Sequence, residues 1–238
     1  MSSAGAEGAL AVVLSELRGL AVPENVAGMA RYGISTAGTL GVSMPALRKI
    51  AKRLGRDHHL ALSLWDSGIH EARILAALVD DPSRVTQEQM EDWVVTLDSW
   101  DVCDQLCSNL FDKTPFAYGK AIDWSGRDET FVRRAGFVLM AALAVQDKRS
   151  PDEPFYAFLR LIVRGSTDER NFVKKAVNWA LRQIGKRNAT LNTAAVATAR
   201  EIAELDSRAA RWVAADALRE LTGETVLRRL AERDGRRP

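Results

Sequence analysis

The chain has 238 residues, 47% of them hydrophobic and 27% charged, and a formal net charge of +2. This length allows one large domain or two small ones with a sizeable core, and so small a net charge means that any affinity for nucleic acid must come from uneven charge placement. Two cysteines cannot build a disulfide framework, and no apolar run approaches the length of a membrane span. The opening MSSAGAEGALAVVLSELRGL lacks a basic leader and carries Glu7 and Glu16, so it reads as a first helix and not a signal peptide; a cytoplasmic monomer is expected.

Strand signals are nearly absent, and apolar residues recur at three- and four-residue spacing from end to end. Ser43-Met44-Pro45 opens a helix, with Ser43 as N-cap and proline tolerated in the first turn, and Gly55 closes it. His58-His59 begins the next helix after Asp57. Further breaks fall at Gly68, Asp80-Asp81-Pro82, Lys113-Thr114-Pro115, Gly126, Ser150-Pro151, Gly165 and Asp206-Ser207. Between them run a dozen or more helices of roughly 10 to 20 residues. A break spacing of about 35 to 45 residues per helical pair fits a HEAT- or TPR-like solenoid. No Gly- or Ser-rich linker divides the chain. The expectation is one all-α domain over 1–238, a curved solenoid of degenerate HEAT-like helical repeats with one concave face.

Charge is uneven along this frame. Residues 48–56, RKIAKRLGR, carry Arg48, Lys49, Lys52, Arg53 and Arg56 with no acid. Residues 80–104 hold eight acids against Arg84 alone. Residues 170–187, RNFVKKAVNWALRQIGKR, are again basic without an acid. Within that last stretch Phe172, Val173, Ala176, Val177, Ala180 and Ile184 form an apolar face. Lys174, Lys175, Asn178, Arg182 and Lys186 lie elsewhere on the helix, and Trp179 borders the basic side. A basic surface edged by an aromatic fits a DNA-backbone footprint; the alternative is a solvated face with a tryptophan anchoring a helix interface. Of the adjacent Arg133 and Arg134, one must point more inward, and a structural ion pair competes with any binding role.

The segment SWDVCD at 99–104 poses a sharper question. Helical spacing sets Trp100, Cys103, Asp104 and Cys107 side by side, and a carboxylate is the odd member of that set. One answer is a helix-interior acid satisfied by an arginine such as Arg73. Motifs for other chemistries fail. HEARI at 70–74 begins like a zinc-protease HExxH but has Ile74 where the second ligand belongs. Cys103 and Cys107 have half-site spacing without further cysteines, and read as small buried thiols. No phosphate-binding glycine loop and no GxSxG elbow is present. No metal and no cofactor is expected.

From about residue 27 to about 220 the chain resembles the DNA alkylation repair proteins, the HEAT-like-repeat alkylpurine DNA glycosylases. MARYGISTAGTLGVSMPALRKIAK is similar to that family's N-terminal region and sets Tyr32 where the family has a cleft tyrosine. SWDVCD matches the segment with a catalytic tryptophan and, four residues on, a catalytic aspartate: Trp100 and Asp104. FVRRAGFVLMAAL matches the segment with the DNA-contacting arginine, with Arg134 favoured over Arg133. NFVKKAVNWALRQIGKRN matches the helix whose tryptophan, Trp179, forms the other cleft wall. The resemblance implies a monofunctional glycosylase that excises cationic N3- or N7-alkylpurines from double-stranded DNA. Asp104 would stabilise the sugar, and Lys175, Arg182, Arg48 and Lys52 would follow the backbone. A non-catalytic binder of damaged or branched DNA on the same scaffold is the alternative. A protein-interaction solenoid, the third reading, would lack a basic face around Trp100 and Trp179.

Overall fold

The computed structural model describes the backbone of residues 3–234 and the side-chain environments of residues 8–233. Among the described residues there are fourteen α-helices, one short 3-10 turn at Phe111–Lys113, and no strand. The helices group into two compact units, meeting in sequence at Thr114 and Pro115. The first holds α1 (Ser3–Gly19), α2 (Pro23–Ala30), α3 (Met44–Leu54), α4 (His58–Asp66), α5 (His70–Val79), α6 (Gln87–Val95) and α7 (Trp100–Asn109). The second holds α8 (Ala117–Ser125), α9 (Thr130–Gln146), α10 (Glu153–Gly165), α11 (Asn171–Gly185), α12 (Ala189–Ala203), α13 (Arg208–Leu221) and α14 (Glu224–Asp234). No described helix is long and apolar enough to cross a membrane.

Each unit repeats one packing scheme. In the second, α8, α10, α12 and α14 touch in succession, as do α9, α11 and α13, and the two rows meet through the pairs α8–α9, α10–α11 and α12–α13. In the first, α3 packs on α5 and α5 on α7, while α4 covers α5 from the other row. Stacked helical pairs of this kind bury one face of each helix against its neighbours, as repeat architectures require. The apolar period in α11 does this directly: Val173, Ala176, Val177, Ala180, Leu181 and Ile184 are all buried. Between α4 and α6 the rings of Trp65 and Trp93 stack with centroids 4.2 Å apart, and Arg73 of α5 lies over Trp65 at 5.2 Å. Such an aromatic pair adds about 0.5–1.5 kcal/mol beyond its buried area.

Local signals act as expected with one difference. The Asp57 carboxylate accepts from the Leu60 amide at 3.0 Å and caps α4, and Gly55 ends α3. Ser43 occupies the N-cap position of α3, but its hydroxyl makes no capping bond. Proline at the second position removes one orphan amide, so less is left there to cap.

In the second unit, α9 is buried without a break from Arg134 to Ala144. Gly136 permits this, because its backbone lies against the end of α8. A Cβ added there would stand 2.9 Å from the carbonyl carbon of Trp124 and closer still to the Ser125 amide nitrogen. Gly136→Ala is therefore expected to lower stability by about 1–3 kcal/mol, the usual cost of overpacking, despite alanine's better helix propensity. A urea midpoint at or above that of the parent would show that α8 can yield.

Candidate nucleic-acid interface

Trp100 is the first residue of α7, and Asp104 follows one turn later. Both are half-buried, whereas Cys103 and Cys107 are fully buried. Three residues turn a helix by roughly 300°, so the Trp100–Asp104 row lies about 60° round from the cysteine row. The four side chains thus straddle the rim of the core, with the thiols inside and the carboxylate at the boundary. Burial pushes the Cys107 thiol well above its usual range, helped by the neighbouring Cys103 and the Asp104 charge, which leaves it a poor nucleophile.

The Trp100 indole N–H donates to the main-chain carbonyl of Tyr32 at 3.0 Å. That bond fixes the indole against the turn after α2, while the Tyr32 side chain stands 75% exposed. Arg73 is engaged elsewhere: it donates to the Thr96 carbonyl at 3.2 Å and lies 3.9 Å from Asp98. It is therefore not the internal partner of Asp104 that the helical spacing allowed. On α3, Leu47 and Ile50 point into the core, and Arg48 and Lys52 share an exposed row. Arg53 pairs with Glu16, and Arg56 reaches the carbonyls of Leu78 and Asp80. Arg48, Lys49 and Lys52 have no side-chain partner among the described residues, which leaves their charge available to a ligand.

Two residues of the HEARI segment shape this site. The Glu71 carboxylate, 1% exposed, accepts from the amides of Leu40, Gly41 and Val42 at 2.6–3.2 Å. Gly41 has a φ of 79°, and a Cβ there would collide with the Val22 carbonyl, so the turn needs glycine. His70, 3% exposed, bonds through Nε2 to Asp101 at 2.8 Å, and the Ser99 hydroxyl donates to the same carboxylate at 2.6 Å. HEARI is therefore a clamp. Glu71 holds the stretch between Tyr32 and α3, and His70 holds the first turn of α7.

Burial opposes charge on His70, but its hydrogen bond to Asp101 and the nearby acids outweigh it and raise its pKa above 6.5. Burial also opposes ionisation of Asp101, yet bonds from His70 and Ser99 hold it below 3.8. A raised histidine stabilises fully below its unfolded pKa and loses this as pH rises through the folded value. A depressed carboxylate stabilises above its unfolded pKa and loses this as pH falls. The pair therefore contributes most between about pH 3.8 and 6.5. Urea midpoints should decline above that window in the parent and much less in Asp101→Asn; an equal decline in both would exclude His70 as the cause.

In the second unit, Lys175 and Trp179 are four residues apart on α11. Lys175 is exposed and Trp179 half-buried, and neither side chain has a partner among the described residues. Other members of the basic stretch are balanced by α13. Arg182 pairs with Glu220 at 2.6 Å and Lys186 with the same carboxylate at 2.5 Å. Asn178, read as lying off the apolar face, is 2% exposed and donates to Asp216 at 2.6 Å. Lys174 sits over the ring of Trp212 at 5.3 Å, an exposed aromatic beside the basic helix that spacing within α11 could not reveal. Arg134 is the inward member of its pair. It is 5% exposed and donates to the Phe172 carbonyl at 2.6 Å, tying α9 to the start of α11. Arg133 lies 3.4 Å from Asp168. Among the described residues, no group of three or more His, Cys, Asp or Glu could hold a metal ion.

In each unit, then, the candidate side chains sit on one row of helices or beside it: α3 and α7 in the first, α9 and α11 in the second. Within a helical-repeat fold, a row that gathers cations and half-exposed aromatics is the candidate nucleic-acid interface. The profile of the DNA alkylation repair enzyme family matches residues 13–221, and the chain belongs to that family. No curated protein matches it. Among solved structures it shares its fold with a member of "a new family of proteins related to the HEAT-like repeat DNA glycosylases with affinity for branched DNA structures". That similarity has a TM-score of 0.72 at 19% identity and covers 81% of this chain and 82% of the other. An engineered protein is matched at a TM-score of 0.36 and 15% identity over 75% of this chain and 92% of that one, too weak a similarity to carry an argument.

Proposed function

We propose that this protein is a hydrolytic DNA N-glycosylase that removes cationic N3- or N7-alkylated purines from duplex DNA. The observation that carries this reading is the arrangement at the start of α7. There a half-buried carboxylate, Asp104, lies one helical turn from an indole, Trp100, which is held against the turn bearing the exposed Tyr32.

The chemistry follows from the lesion. Alkylation at N3 or N7 makes the purine cationic. When the N-glycosidic bond breaks, its electron pair moves to the base, which departs neutral, and no strong general acid is needed. Positive charge develops on the deoxyribose, water adds to C1′ and loses a proton, and an abasic site remains. A fixed carboxylate stabilises that sugar cation and orients the water, the role given to Asp104. The π face of Trp100 attracts a cationic base or sugar, and Trp179, on the second unit, offers an aromatic surface to DNA. Lys175, Arg48 and Lys52 contact phosphates, which sets register without reading sequence. Arg134 is mostly buried, so it holds α9 to α11 first and reaches a phosphate second. Arg182 is assigned a smaller share, because Glu220 already balances it.

Release of 7-methylguanine or 3-methyladenine from methylated DNA by the purified protein tests the reading. Duplex binding without release would favour a non-catalytic binder of damaged or branched DNA. Binding itself should be salt-sensitive and nearly sequence-independent. For about five neutralised phosphates, the slope of log K against log salt should be about −4 to −5. Lys175→Ala should flatten it by about one unit and Arg182→Ala by less. A slope near zero in the parent would contradict the assignment of these cations to DNA.

A further inference from the structure

The second unit contains a cavity of about 240 Å³ where the C-terminal ends of α9 and α11 meet α14. Its polar lining includes five cations: Lys148, Lys186, Arg187, Arg229 and Arg233. No Asp or Glu lines it. On α14 the residues Val226, Arg229, Leu230 and Arg233 follow the i, i+3, i+4, i+7 pattern, so a single helix face supplies two of the guanidinium groups together with the apolar floor.

Two of the five cations are occupied by the protein itself. Lys186 pairs with Glu220 at 2.5 Å. Arg187 donates to the Ser150 carbonyl at 2.6 Å and to that of Asp147, lies over the Phe155 ring at 4.4 Å, and has Asp152 3.8 Å away. Arg233 has only a carbonyl, that of Lys186, at 3.1 Å. Lys148 and Arg229 have no side-chain partner among the described residues. Partial burial and repulsion from Arg187 and Arg233 lower the Lys148 pKa, as expected where positive charges crowd without a counter-ion. Asp147 is nearby, but its carboxylate accepts from the Tyr118 hydroxyl at 3.0 Å and from the amides of Arg149 and Ser150.

We propose that this cavity is a phosphate-binding site, in which Lys148, Arg229 and Arg233 hold a phosphate mono- or diester above Lys186 and Arg187. Guanidinium forks match phosphate oxygens two at a time, and a lysine adds a point charge. The phosphate comes either from a DNA backbone or from a small phosphorylated compound. A DNA backbone is within reach of the α11 residues: Trp179 and Lys186 are separated by roughly 10 Å along the helix axis, less than the width of a duplex.

The test uses the full chain and the double variant Lys148→Ala/Arg229→Ala, both exposed positions, with Arg160→Ala/Arg164→Ala on α10 as a control of equal charge. Amide spectra are followed while inorganic phosphate replaces chloride at constant ionic strength. Saturable shifts are expected in residues 144–148, 183–187 and 226–233 of the parent and the control, and absent in the cavity variant. The salt slope of duplex binding is measured on the same three proteins. If DNA supplies the phosphate, the cavity variant loses about one unit of slope more than the control. Phosphate shifts with equal slopes assign the site to a small phosphorylated compound. No saturable shift and no excess loss of slope would overturn the proposal. The phosphate titration does not depend on DNA binding, so it decides this site even if the glycosylase reading fails.

Discussion

Asp104→Asn is expected to slow base release from alkylated DNA by about a hundredfold or more, equivalent to about 2.7 kcal/mol of barrier, while DNA affinity barely changes. Asparagine keeps the size and nearly the shape of aspartate and removes only the charge. If that charge acts on the sugar cation, its effect appears in the transition state and is weak in the ground state, so kcat falls and binding does not. Affinity could even rise, since a carboxylate near phosphates repels them. Trp179→Ala should weaken both steps, because an aromatic wall touches DNA before and during reaction. Single-turnover base release and a binding titration on the same duplex separate the two patterns. Equal release by Asp104→Asn and the parent would remove Asp104 from the mechanism.

Glu71→Ala should strongly destabilise the first unit, by about 3 kcal/mol or more. It strands three amides, those of Leu40, Gly41 and Val42, the last two of them buried, and each buried orphan donor costs about 1–3 kcal/mol. Glu71→Gln should fall between. One amide oxygen can still accept from Gly41 and Val42, but its NH₂ group then faces the Leu40 N–H. For a chain of this size, each kcal/mol lowers Tm by roughly 2–4 °C. Because the same stretch carries Tyr32, whose carbonyl holds the Trp100 indole, base release should fall together with stability. Overlapping urea curves for Glu71→Ala and the parent would end the view of HEARI as a clamp.

What could be read from the chain alone was what its nearest neighbours encode. Apolar spacing within α11, proline in the first turn of α3 and the helix start after Asp57 each depend on residues within a turn or two, and all three appear in the structure. The four-residue interval between Trp100 and Asp104 is enough to set them on one row of a helix. Only the stacking of the helices decided which charges stay available. Arg182 and Lys186 look alike with Lys175 in sequence, but they meet Glu220, 38 and 34 residues away, because α13 packs on α11. The same holds for Glu71, whose partners lie 29 to 31 residues upstream, and for the cavity built by α9, α11 and α14. Helical period is a local property of the backbone. Pairing of charges across repeats depends on the register in which separate helices dock, and packing of whole helix faces sets that register, which no single segment contains.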